Sequence, residues 1–136
     1  METLRIKQYL VIIFMILTLT SCSNGEDKME IIAYGTSEFD EFVKKSPISL
    51  DEAWEIQLNY MKKNINDDFS YNFYKTNVLL FCIVDENYVF TTKHMNDKMK
   101  EGYFLSGVWV DMKTGNVFEK NVDKKIKLNS AWRKQK

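Results

Sequence analysis

The chain is poor in the residues that most metal and nucleophilic chemistry requires. Its 136 residues include one histidine, two cysteines, one proline and five glycines. The lone His94 has no second imidazole to share a metal with, and two cysteines cannot build a disulfide framework. Ser106 stands in Leu105-Ser106-Gly107, which lacks the first glycine of a nucleophile elbow. The acid pairs Asp51-Glu52 and Asp67-Asp68 are sequence neighbours, and neighbours on a helix do not face each other for acid-base work. Charge of neither sign prevails, with 19 basic and 19 acidic residues, which argues against nucleic acid as a partner. The expectation is a non-enzymatic protein without metal or cofactor.

What the chain does have begins at its N-terminus. Arg5 and Lys7 form a short basic region, and Leu10 to Thr20 form an uncharged apolar run of eleven residues. At about 1.5 Å per residue such a helix spans only about half of a hydrocarbon core of about 30 Å, so a removable signal fits better than a membrane span. Leu19-Thr20-Ser21-Cys22 follows the run directly. These 22 residues resemble the signal peptide of bacterial lipoproteins, with the lipobox matched at all four positions. The resemblance implies a diacylglyceryl group on the Cys22 thiol, cleavage between Ser21 and Cys22, and acylation of the new N-terminus. Two acyl chains suffice for stable anchoring at about 0.8 kcal/mol per buried methylene. The expected organisation is a signal peptide over 1–21, a lipidated, solvated tether over 22–28 and one α+β domain over 29–136. The expected location is the cell envelope, on the exported side of a bacterial membrane.

With Cys22 committed to lipid, Cys82 is left without a disulfide partner, and its place inside Val78 to Val84 reads as a small buried hydrophobe. Charge is divided along the chain. Residues 26–68 carry eleven acids and five bases, whereas residues 69–136 carry twelve bases and seven acids. The C-terminal stretch, with Lys120, Lys124, Lys125, Lys127, Arg133, Lys134 and Lys136, is either a solvated end or a contact for anionic headgroups or an acidic partner.

One helix is plain. Ser49-Leu50-Asp51-Glu52 is a capping box after Pro47, followed by Leu50, Ala53, Trp54, Leu58, Met61 and Ile65 at spacings of three and four. It runs about four turns and ends near Asn64 to Asp67. Beyond Asp68 the pattern reads as strand and turn. Phe69 to Phe73 alternate, Val78 to Val84 are continuously apolar, Asp85-Glu86-Asn87 turn, and Tyr88 to Thr92 return. Tyr103 to Val110 read as one strand, with Asp111 to Gly115 as a turn and Asn116 to Lys120 as its partner, while His94 to Glu101 form a loop or a single helical turn. Residues 29–34 are an edge strand or part of the tether, and Ser37 to Lys45 a short helix. The expected fold is α+β, one amphipathic helix on an antiparallel meander of about four strands.

Ile48 to Ala53 opening a helix, and Gly107 to Val117 closing a sheet, resemble the ends of PepSY-type domains. The same segments resemble small immunity proteins of bacterial toxin systems. The resemblances imply binding or inhibition of another protein, an envelope protein for a PepSY-like module and a toxin for an immunity protein; a small-ligand carrier or a hydrolase built from distant acids is the remaining alternative. Aromatic residues crowd the expected sheet. Alternation puts Tyr103, Leu105, Gly107 and Trp109 on one face and Phe104, Ser106, Val108 and Val110 on the other. The helix is expected to cover one face and the N-terminal segment part of the other. Any exposed aromatic patch would make Tyr103 and Trp109 the first candidates for partner contact.

Overall fold

The computed structural model describes residues 28–92, 103–122, 124–126 and 130–136. Among them are three helices, α1 (Ser37–Lys45), α2 (Leu50–Asn64) and α3 (Asp68–Asn77). The strands are β1 (Ile31–Ala33), β2 (Val78–Val84), β3 (Asn87–Thr92), β4 (Tyr103–Phe104), β5 (Gly107–Asp111), β6 (Val117–Lys120) and β7 (Lys125–Ile126). The class is α+β, with more helices and strands than the sequence pattern suggested.

Each helix starts where a side chain can take an orphan amide. Thr36 accepts from the Phe39 amide at 3.2 Å for α1, and Asp67 from the Ser70 amide at 2.8 Å for α3. The expected capping box opens α2: the Ser49 amide donates to Glu52 Oε2 at 2.7 Å, and the Glu52 amide to Ser49 Oγ at 3.2 Å. From α2, Ala53, Trp54, Gln57 and Leu58 are buried on one face.

Helix α3 corrects the strand expected over Phe69 to Phe73. The same five residues that alternate also place Phe69 and Phe73 one turn apart, and so short a window fits either period. The cap at Asp67 decides for the helix. At its other end the Val78 amide donates to the Tyr74 carbonyl, so β2 begins without an intervening loop.

Five strands form one antiparallel sheet in the order β1-β2-β3-β5-β6, and β4 pairs with β7 in a separate ribbon. The β2–β3 hairpin turns on Asp85 and Glu86, both at positive φ (46° and 61°), as the twist of a two-residue hairpin demands. Within β2 the register slips: Leu80 opposes Phe90, and Cys82 opposes Val89. Phe81 is the extra residue of this bulge, so Phe81 and Cys82 both join the cluster on the side away from the helices.

The strand expected from Tyr103 to Val110 is broken in two. Ser106 holds the break by donating to the Val122 carbonyl and accepting from the Val122 amide at 2.9 Å. Gly107 then lets β5 approach β3, because a Cβ there would lie 2.0 Å from the Phe90 carbonyl oxygen.

One face of the sheet carries Leu80, Ile83, Tyr88, Phe90, Val108 and Val110 in a single cluster with Phe39, Ala53, Trp54 and Leu58 of the helices. The opposite face gathers Phe81, Cys82, Val84, Val89, Leu105, Trp109 and Val122, with Met29, Ile31, Ile126 and Ala131 against them. The N-terminal segment contributes Met29 and Ile31 to its cover, as expected of part of this face, and the C-terminal half adds Val122, Ile126 and Ala131.

Candidate functional site

Helix α2, helix α3 and strands β3, β5 and β6 enclose a cleft of about 330 Å³ on the helix side of the sheet. Met61, Tyr74, Phe90 and Val108 give it an apolar floor, and Thr92, Ser106, Glu119 and Lys120 stand among its walls. Tyr74 reaches the cleft because its turn of α3 faces inward, and its hydroxyl donates to Gln57 Oε1 at 2.5 Å. Burial, with the nearby Glu119 carboxylate adding to it, pushes the Tyr74 phenol well above its usual range, so it stays a neutral donor. Gln57 is fully buried, and its Nε2 has no hydrogen-bond partner among the described residues. A donor left in this way raises the energy of the interior by about 1–3 kcal/mol. Nothing in the hydrophobic pattern marked this pair, because Gln57 sits at a helix position that periodicity reserves for an apolar residue.

A second surface lies on the outer side of α3. Phe69 is 82% exposed and Phe73 is 46% exposed, one helical turn apart. Sequence reasoning had placed Phe73 within a sheet.

Trp109 does not serve as a surface contact. It is 1% exposed, its Nε1 donates to the Leu105 carbonyl at 3.0 Å, and Phe118 and Lys120 of β6 lie against its ring at 5.9 and 4.6 Å. Alternation identified its face correctly, but that face is closed by other parts of the chain. Tyr103 opens β4, where it pairs with Ile126, and its side chain lies outside the described part of the structure. Ser21, Cys22 and His94 likewise lie outside the described residues.

Other reactive groups are buried or held by the backbone. Cys82 is buried and free, and burial pushes its thiol up to about 12, where little thiolate exists. Glu52, Asp67 and Asp111 are each held below the ordinary carboxylate range by amide hydrogen bonds, from Ser49, Ser70 and Thr114 respectively. Among the described residues no cluster of three or more His, Cys, Asp or Glu side chains could hold a metal ion, and no helix is long and apolar enough to cross a membrane.

No protein-family model, curated protein or solved structure matches the chain.

Proposed function

We propose that the protein is a bacterial lipoprotein, anchored to the exported side of a membrane through acylated Cys22, whose domain binds or restrains an envelope protein in the manner of PepSY-type modules. The observation that carries the anchor is Leu19-Thr20-Ser21-Cys22 directly after an uncharged run and a basic N-terminus. For the binding role the support is the Phe69 and Phe73 ridge, apolar surface that a folded domain gains by covering. The polar groups that could act chemically, Ser106, Glu52, Asp67 and Asp111, are instead engaged in strand breaks, caps and turns. Cys22→Ala tests the anchor: labelling with a radioactive fatty acid should vanish and the precursor stay uncut, and unchanged labelling would sink the reading. Photo-crosslinking from position 69 in the anchored protein tests the binding role. It should capture an envelope protein; capture of a toxin would favour the immunity-protein resemblance instead.

A further inference from the structure

Beside Leu80 the edge of the sheet is closed by the chain itself. The Leu80 amide donates to the Trp132 carbonyl at 2.9 Å and the Trp132 amide to the Leu80 carbonyl at 2.8 Å, while the Trp132 ring meets Trp54 edge-on at 5.7 Å. Arg133 then donates to the Thr76 and Lys75 carbonyls, where the negative end of α3 favours a cation. The cleft over Phe90 and Val108 is left open by the described residues, and its volume of about 330 Å³ lies within the range of about 300–1,000 Å³ typical of small-molecule sites.

Two polar groups on the walls of this cleft are left able only to accept. The Tyr74 hydroxyl has a single proton, and it is donated to Gln57 Oε1 at 2.5 Å, so that what the oxygen still offers is lone pairs. Glu119 is the other. In β6, Phe118 and Lys120 lie against the Trp109 ring on the far face, so alternation turns the exposed Glu119 between them to the helix side, where its carboxylate acts on the Tyr74 phenol. Among the described residues no cation pairs with Glu119. Lys120 also borders the cleft, but its ammonium lies 4.6 Å from the centroid of the Trp109 ring.

The cleft therefore presents a negative wall above an apolar floor that includes two aromatic rings, and such rings attract cations as well as apolar groups. We infer that it binds a small organic cation, with an ammonium between Glu119 and Tyr74 and an apolar body against Met61, Phe90 and Val108. An anion would meet the Glu119 carboxylate without a compensating positive charge. An uncharged ligand would leave that carboxylate unpaired. The site requires no lipid anchor and is separate from Phe69 on the outer side of α3.

The test titrates phenethylammonium into the full chain labelled with nitrogen-15, beside its uncharged counterpart phenethyl alcohol and the anion hydrocinnamate, and follows the amide resonances. The cation should give saturable shifts centred on Tyr74, Gly107, Val108 and Glu119. It should bind several-fold more tightly than the alcohol, by a margin that widens as salt is lowered. Glu119→Gln keeps the shape of the wall and removes its charge, so it should abolish that margin and leave the affinity for the alcohol unchanged. Equal affinity for cation and alcohol would overturn the inference, as would tighter binding of the anion, no saturation by the cation, or shifts confined to other parts of the domain. A preference for the cation that survives in Glu119→Gln would overturn it too, because another group would then be reading the charge.

Discussion

Against one face of the sheet the chain lays helices, with Trp54, Leu58 and Phe39 clustered on Leu80, Tyr88 and Phe90; against the other it lays a short ribbon and irregular chain around Trp109. The helix side contains the cleft and the buried Gln57–Tyr74 pair with one unmet donor. On the far side the Trp109 indole has its hydrogen bond, and Phe81, Cys82 and Val89 are buried in the same cluster. The two faces thus differ in what they leave open: the cleft and the unmet Gln57 donor lie with the helices.

The comparison breaks first at Trp109. Trp109→Ala should cost about 3–5 kcal/mol in urea denaturation, at least as much as Leu58→Ala on the helix side at about 2–5 kcal/mol. A loss near 1 kcal/mol would make the far cover a loose drape. Next is the polar pair. Tyr74→Phe alone strands the buried Gln57 Oε1 beside the already unmet Nε2 and should cost about 1–3 kcal/mol, whereas adding Gln57→Leu should recover most of it. Additive losses in that double-mutant cycle would mean that the two side chains are not coupled.

Smaller effects come from the caps. Ser49→Ala should lower stability by about 1 kcal/mol near neutral pH. Glu52, Asp67 and Asp111 have folded pKa values below their unfolded ones, so their contribution is complete above the unfolded values and is lost as pH falls through the folded ones. The penalty of Glu52→Ala should therefore shrink as pH falls through the folded Glu52 value, and a constant penalty would show that its carboxylate takes no part in the box. Smallest of all, Phe69→Ser should change stability by no more than about 0.5 kcal/mol, since the ring is 82% exposed. A thermal-shift loss equivalent to more than about 1 kcal/mol would place Phe69 in the packed structure, not on an exposed turn of α3.

Legibility followed the length of each pattern. Helix α2 was readable because a capping box and six apolar positions agree over four turns, and β2 with β3 because a seven-residue apolar run precedes a turn and an alternating return. Five residues of alternation were too few to distinguish α3 from a strand. Alternation also sorts Leu105 and Trp109 from Val108 and Val110 correctly, yet it reports only the face and never its cover, so it leaves open whether Trp109 is exposed. The Gln57–Tyr74 pair and the seating of Trp132 on Leu80 depend on residues distant in sequence. The basic composition of the last stretch gave no sign that Arg133 caps α3.

The bridge between Leu80 and Trp132 also bears on the order in which the molecule completes itself. Strand β2 borrows one stretch of its edge from Ile31–Ala33, made well before it, and another from Trp132, made well after it. A chain emerging from its N-terminus can pair β1, β2 and β3 early, but the edge beside Leu80 stays unpaired until residue 132 arrives. Contacts of such long sequence separation form late because the intervening loop must first be closed. During that interval an exposed strand edge is available to any chaperone that recognises one.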